Sequence, residues 1–141
     1  MKKIFLLISA LVLTTVSASA APSTCQNGTY ADYLLLTEGC TVGDLLFSGF
    51  GFLPGGTAPL ITANQVGVGV ITDLGMEGFA FNPGINLSNV GSPTTFLSRD
   101  AALSFTVTAL VGMLTDLHLF SNGVTSGSGA VNVTETYCFN G

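Results

Sequence analysis

The sequence predicts an all-β fold: one antiparallel β-sandwich or jelly-roll-like domain that follows a cleaved signal peptide. Apolar residues recur mainly at every second position, which is the period of a half-buried strand. Clusters of Gly, Pro, Asn and Ser separate these runs at short intervals, as antiparallel hairpins require. No run has a sustained helical period, so there is no room for crossover helices and a parallel sheet is disfavoured.

Residues 1–20 are predicted to be a signal peptide and not part of the fold. A basic start is followed by an apolar run at residues 4–16 and then by small residues in the pattern that a signal peptidase reads. We predict cleavage between Ala20 and Ala21, which leaves residues 21–141 as one domain large enough to bury a core. The apolar run is shorter than the roughly 20 residues of a membrane-spanning helix, and no second run of that length follows, so no transmembrane segment is expected in the mature chain. In the alternative interpretation, residues 4–16 form a buried N-terminal helix or strand.

Cleavage leaves a strongly acidic domain. Its one cation is Arg99, and its carboxylates are Asp32, Glu38, Asp44, Asp73, Glu77, Asp100, Asp116 and Glu135. Nucleic-acid binding needs several Lys or Arg side chains to neutralise phosphates, and docking on an anionic membrane needs a basic surface. The charge balance therefore excludes nucleic acid and an anionic membrane surface as partners.

The predicted strands follow from the alternation. Alternating runs lie at residues 66–70, 79–81, 103–109, 117–119 and 131–137. Residues 45–53, LLFSGFGFL, are apolar at both parities, so this strand is predicted to be buried on both faces. Breakers lie at residues 54–56, 73–75, 82–84, 91–93 and 121–123, and residues 126–129 extend the last of these into a hairpin loop. One or two helical turns are predicted within residues 29–38.

Export places the three cysteines in an oxidising compartment, where thiols tend to pair. Cys25 and Cys40 enclose 14 residues and are the predicted disulfide, which contributes about 3 kcal/mol by restricting the unfolded chain. Two explanations stay open for Cys138: the chain continues beyond Gly141 to a fourth cysteine, or Cys138 pairs with Cys25 or Cys40. There is no CxxC motif and only one histidine, so neither a zinc site nor any cofactor is predicted.

Both ends of the predicted domain carry further motifs. Residues 25–52 read CQNGTYADYLLLTEGCTVGDLLFSGFGF, with an early cysteine, a Gly-Cys-Thr-hydrophobic-Gly-Asp turn and a Phe-Ser-x-Phe strand. Residues 128–141 read SGAVNVTETYCFNG, with two residues between Glu135 and Cys138. In these features the chain resembles the exported bacterial proteins that end in a PEP-CTERM sorting signal, particularly the small acidobacterial-type ones.

That resemblance implies sorting to the cell surface and association with extracellular polysaccharide or biofilm matrix. The sorting tail of the family is a Pro-Glu-Pro motif followed by an apolar helix and basic residues, and it is not in this sequence. We therefore expect either a chain that continues past Gly141 or a relative that lacks the tail.

His118 is the one histidine and the first candidate for general base chemistry. On a strand, Asp116 projects to the same face and is placed to orient the imidazole. A solvated histidine on the polar side of a strand is the simpler interpretation. The sequence has no Gly-x-Ser-x-Gly motif that would supply a nucleophile.

Two pairs of acids flank glycine turns and are candidates for calcium binding. They are Asp73 with Glu77, and Glu38 with Asp44. Neither pair has the dense Asp-x-Asp-x-Asp-Gly spacing of a calcium loop, so solvated turn acids are the default interpretation.

Glu135 lies at the same parity as Val131, Val133 and Tyr137 in the predicted last strand. An ionised carboxylate is costly to bury there unless it is paired. We consider three resolutions: a β-bulge that turns Glu135 outward, a pair with Arg99, or a site with an altered pKa.

Two function classes follow from these features. The first is a non-enzymatic secreted or cell-surface protein, structural or adhesive, that contacts extracellular polysaccharide or a surface matrix. The chain has no tryptophan and only three tyrosines, so few rings can stack on sugars, which favours the purely structural version. The alternative is a small secreted hydrolase or a calcium-dependent carbohydrate-binding module on a β-sandwich. The sequence specifies neither a ligand nor an oligomeric state.

Overall fold

Two β-sheets pack face to face across an aromatic core. The structure is a computed structural model that describes residues 21–73, 75–85, 97–118, 130 and 132–138. The strands are β1 (Ser23–Thr24), β2 (Gly28–Thr29), β3 (Cys40–Val42), β4 (Leu45–Gly56), β5 (Gly67–Ile71), β6 (Gly78–Asn82) and β7 (Arg99–Ala109). The first sheet has the order β1-β3-β4-β7 and the second has the order β2-β5-β6. The predicted all-β sandwich is therefore confirmed.

Within the described residues, all the strand pairs are antiparallel except that of β1 with β3, which joins only two residues of each strand. The alternating runs at residues 66–70, 79–81 and 103–109 became β5, β6 and β7. Along β7 the odd-numbered side chains are half-buried and the even-numbered ones are exposed, as the period predicted. Between β5 and β6, at the turn predicted for residues 73–75, the Met76 N–H donates to the Asp73 carbonyl (2.9 Å); Leu74 lies outside the described residues.

A short helix, α1 (Tyr30–Tyr33), confirms the predicted helical turns. Asp32, at the third helical position, accepts hydrogen bonds from both the N–H and the Oγ1 of Thr29, each at 2.8 Å. These bonds satisfy polar groups at the helix start, and they lower the pKa of the Asp32 carboxyl. One turn of helix is enough to point both Tyr30 and Tyr33 into the core.

A β-bulge in β4 determines which side chains of this strand face the core. From Ser48 to Gly51, β4 advances three positions, whereas β7 advances only two, from Thr106 to Ser104. Gly49 has a φ of 63°, a conformation that glycine adopts without strain. The extra residue reverses the alternation, so Phe47, Phe50 and Phe52 all pack into the core. Leu53 is left 71% exposed. The prediction that both faces of this strand are buried is therefore wrong.

The predicted break at residues 54–56 is also wrong, because β4 continues to Gly56. The Leu110 N–H donates to the Asp44 carbonyl, and the β4–β7 register places Gly51, Leu53 and Gly55 in the hydrogen-bonding positions after the bulge. Pro54 therefore directs its nitrogen to the other side of β4, where β3 pairs only with residues 45–47. Since no ladder bond is lost there, proline is tolerated within the strand.

The core combines small apolar residues with a cluster of aromatic rings. The buried residues are Cys25, Tyr30, Tyr33, Cys40, Val42, Phe47, Ile61, Val66 and Val68. Around them lie the half-buried rings Phe50, Phe52, Phe79, Phe81 and Phe105. Ring centroids in this cluster are 4.4 to 6.3 Å apart, mostly in tilted or edge-to-face geometry, which contributes about 0.5–1.5 kcal/mol per pair beyond burial.

The strands predicted at residues 117–119 and 131–137 are not formed in the described parts of those runs. Residues 113–118 and 132–138 have no strand assignment, and Val133 and Tyr137 are 50% and 60% exposed. An alternating pattern becomes a strand only when a neighbouring strand takes its backbone hydrogen bonds, and no such pairing involves these residues. The loops predicted at residues 91–93, 121–123 and 126–129 lie outside the described residues.

Candidate functional site

The disulfide that ties the N-terminal end of the domain to the sandwich joins Cys25 and Cys40. The two Cα atoms are 4.9 Å apart, and both residues are buried. The Cys25 N–H also donates to the Thr41 carbonyl at 2.9 Å, so backbone and side chain hold the same corner. The predicted disulfide is confirmed, and such bridges are typical of proteins that mature outside the reducing cytoplasm.

Cys138 is a free, exposed thiol. The interpretation in which it pairs with Cys25 or Cys40 is therefore wrong, because those two residues bind each other.

Tyr30 and Tyr33 project from α1 into the same buried core as this disulfide, and their hydroxyls bond to backbone carbonyls. The Tyr30 hydroxyl donates to the Ser104 carbonyl on β7 at 2.7 Å, and the Tyr33 hydroxyl donates to the Gln26 carbonyl at 2.6 Å. Burial raises the pKa of Tyr30 to about 12. Burial, with a contribution from the negative charge of Asp32, also raises the pKa of Tyr33.

We expect the Tyr30 hydroxyl to make folding sensitive to alkaline pH. The ordinary pKa of 10.0 applies in the unfolded chain, whereas the folded chain holds the proton until about pH 12. The stability from this group is complete below pH 10 and is lost as the pH rises from 10 towards 12, by an amount on the order of 2 kcal/mol. Tyr30→Phe should lower stability by about 1 kcal/mol at pH 8 and flatten this decline, which urea unfolding across the pH range would measure.

The matched variant for this experiment is Tyr33→Phe. It removes a hydroxyl from the same helix and leaves the Tyr30 titration in place, so it should retain the Tyr30 part of the alkaline decline. An unchanged pH slope in Tyr30→Phe would contradict the assignment.

A shallow groove of about 280 Å³ runs beside the disulfide corner. Its lining residues are Ser23, Thr24, Cys25, Gln26, Asn27, Gly28, Asp32, Tyr33 and Leu36. The polar groups there already hold the fold together: the Asn27 Oδ1 accepts the Val70 N–H at 2.8 Å, and the Asp32 carboxylate accepts the Thr29 bonds. The groove is slightly smaller than a typical ligand pocket of roughly 300–1,000 Å³.

The structure brings Asp116 and His118 together, a pairing that the sequence offered as a possibility on a strand, although residues 113–118 do not form a strand. The His118 Nε2 and Asp116 Oδ2 atoms are 2.7 Å apart, with side-chain exposures of 63% and 66%. A second shallow depression, of about 230 Å³, lies beside them and is lined by Leu114, Thr115, Asp116, Leu117 and Tyr137. A carboxylate in this position can fix the orientation of the imidazole, although water screens so exposed a pair.

Among the calcium candidates, Glu77 of one pair contacts Asp44 of the other. Glu77 lies against the turn between β3 and β4, where its Oε2 accepts the Asp44 N–H at 3.2 Å and its carboxylate occupies the space that a Cβ at Gly43 would need. Glu77 therefore stabilises a turn of the neighbouring sheet. Among the described residues, no group of three or more His, Cys, Asp or Glu side chains could hold a metal ion.

Glu135 is exposed in a segment that is not a strand. The Glu135 carboxylate is therefore not buried in a strand. The three explanations considered for its burial, a β-bulge, a pair with Arg99 and an altered pKa, are not needed. Arg99 is instead the first residue of β7, and it faces the half-buried side of that strand. Of the predicted cleavage-site residues, Ala21 is exposed and Ala20 lies outside the described residues.

The structural roles of Tyr30, Tyr33 and Glu77 were not predicted. The Thr29-x-x-Asp32 pattern was a usable signal for the helix start, and it would have placed both tyrosines on one short helix. No helix in the described part of the chain is both long and apolar enough to span a membrane. No protein-family model, curated protein or solved structure matches the chain.

Proposed function

We propose that this protein is a non-enzymatic structural or adhesive module that acts outside the cytoplasm, at the cell surface or in the secreted material around it. A disulfide in the core, an acidic surface and carboxylates that hold turns support this proposal. Asp32 and Glu77 both direct their oxygens at backbone N–H groups. These carboxylates stabilise local structure, a use that needs no substrate.

The buried Cys25–Cys40 bridge is the observation that carries the proposal. It fastens β1 to β3 directly beside the two tyrosines that link the helix to the rest of the core. A brace of this kind restricts the unfolded chain, which benefits a protein that works in an oxidising medium without chaperones.

Extracellular polysaccharide or surface matrix is the partner class that we propose. The Tyr137 side chain, 60% exposed, borders the depression beside Asp116. An exposed ring next to polar groups is the chemistry that stacks on a sugar face and hydrogen-bonds its hydroxyls.

Localisation and binding can be tested on the full chain expressed with its own N-terminal segment. We expect the cell-surface and medium fractions to contain the protein, with Cys25 and Cys40 joined in a non-reducing peptide map. We further expect it to sediment with extracellular polysaccharide, and Tyr137→Ala to weaken this binding about tenfold if one ring carries most of the contact. Tyr33→Phe, which alters a buried tyrosine, is the matched control. Retention of reduced protein in the cytosol would overturn the proposal.

The contact between His118 and Asp116 favours a second candidate, a small secreted hydrolase. In that reaction class the imidazole takes a proton from water or from a nucleophile, and the carboxylate holds the ring in position. His118→Ala and Asp116→Asn should each abolish any hydrolytic activity found in a substrate panel, whereas Glu135→Gln should not change it. A silent panel would remove this candidate.

A further inference from the structure

The outer edge of β7 lies at the end of the larger sheet. Along its eleven residues, from Arg99 to Ala109, β7 pairs with β4 on one side, and no strand of the described part of the chain pairs with the other. An exposed edge presents unpaired backbone N–H and C=O groups, which is a template for another strand.

The register with β4 shows which residues present those groups. The Leu110 N–H donates to Asp44, and the Ser104 carbonyl accepts the Tyr30 hydroxyl next to Gly51, so the even-numbered residues direct their backbone towards β4. In an antiparallel ladder successive residues alternate between the two sides. The residues that direct N–H and C=O groups to the open edge are therefore Ala101, Leu103, Phe105, Val107 and Ala109.

β7 lacks the features that usually protect an edge strand. It contains no proline or lysine, its charges are confined to Arg99 and Asp100 at one end, and the bulge in this sheet is on β4. The side chains of Ala101, Leu103, Phe105 and Val107 are only partly buried against the core. An added strand would cover this apolar row and would also form hydrogen bonds with the unpaired N–H and C=O groups of the β7 edge.

We propose that the occupant of this edge is β7 of a second copy, paired antiparallel about Ser104, so that the two larger sheets form one continuous sheet. Charge selects the antiparallel direction. The Ala109 end lies beside two carboxylates, because the Leu110 N–H donates to the Asp44 carbonyl and the Asp44 N–H donates to the Glu77 Oε2. The opposite end, about 33 Å away, holds Arg99 and Asp100, whose charges cancel. Antiparallel pairing places each acidic end next to the neutral end of the other copy, whereas parallel pairing would place the two acidic ends together.

The register about Ser104 is the one that overlaps all eleven residues. It puts Leu103 opposite Phe105 of the second copy, which continues the apolar row across the dimer. Asp100 lies opposite Thr108, so no like charges meet. Two-fold pairing covers the open β7 edge of both copies, so the assembly closes as a dimer. The pairing depends on the edge alone and stands whether or not the molecule is adhesive.

Sedimentation of the full chain tests the pairing through Thr108, which is exposed on β7. Thr108→Asp creates two Asp–Asp contacts per dimer and should weaken dimerisation about two- to thirty-fold, while Thr108→Lys should strengthen it by a similar factor. Adding Asp100→Asn to Thr108→Asp should restore the wild-type constant. Added salt should also strengthen the wild-type dimer, because both copies are acidic.

Cross-linking tests the register. In a Cys138→Ser background, Ser104→Cys should form a covalent dimer on oxidation, since opposed Cα atoms at the two-fold axis lie about 4.5 Å apart, within disulfide range. Ala102→Cys should not form a covalent dimer, because the two Ala102 residues do not lie opposite each other in this register. A monomeric wild type would overturn the proposal. If hydrogen exchange of the Leu103 and Phe105 amides were slow in that monomer, another segment would be covering the edge. A dimer that neither Thr108 variant changes would also overturn it.

Discussion

Replacing Cys25 and Cys40 together with alanine is expected to lower the free energy of unfolding by about 3 kcal/mol, within a range of roughly 2–5 kcal/mol for small exported domains. The bridge spans 15 positions of sequence and joins two buried residues of the core. Without it, the unfolded chain regains loop entropy, and β1 keeps only its short parallel pairing with β3. Equilibrium urea unfolding monitored by tyrosine fluorescence would measure the loss.

Two comparisons make this result specific. Cys138→Ser should change stability by less than about 0.5 kcal/mol, because its thiol is exposed and free. Reduction of the wild type should destabilise it about as much as the double substitution, since both remove the same constraint. A double variant as stable as the wild type would show that the bridge does not hold the fold.

The strands that the sequence predicted correctly are those whose pattern is purely local. β5, β6 and β7 each alternate without interruption, and the structure places their apolar side chains towards the core. The bulge in β4 could not be inferred in this way, because it is defined by a mismatch of one residue with β7, which lies 53 to 58 positions further along the chain at the bulge. Residues 132–138 alternate as well as β7 does, yet no pairing in the described part of the chain includes them.

The contacts at the candidate sites also differ in whether their residues are close or distant in sequence. The Cys25–Cys40 pair was predicted, and the Asp116–His118 contact was considered as a possibility; both join residues that are close in sequence. The Tyr30 hydroxyl bonds to Ser104, 74 positions away, and Glu77 supports a turn 33 positions earlier. Such contacts depend on how the two sheets pack, and a single sequence carries no local signal for that.

Gly39→Ala tests the packing beside the disulfide and is expected to cost about 3 kcal/mol or more. Gly39 is buried immediately before Cys40 and has a φ of 77°, a conformation in which alanine costs about 1–2 kcal/mol. A Cβ at this position would also collide with the carbonyl oxygen of Phe47 and lie 2.9 Å from the Ser48 Cβ. Because β3 pairs with β4 here, relief of the collision requires the two strands to separate.

Gly75→Ala is the matched control for this prediction. Gly75 has nearly the same backbone conformation, with a φ of 78°, but among the described residues no atom of a non-adjacent residue lies within 4 Å of the Cβ that alanine would add. It should cost only about 1 kcal/mol, the conformational part of the effect, partly offset by the lower entropy of the unfolded alanine chain. The difference between the two variants therefore isolates the collision with β4. Equal losses in urea unfolding would mean that β3 and β4 do not approach each other at Gly39 as the structure describes.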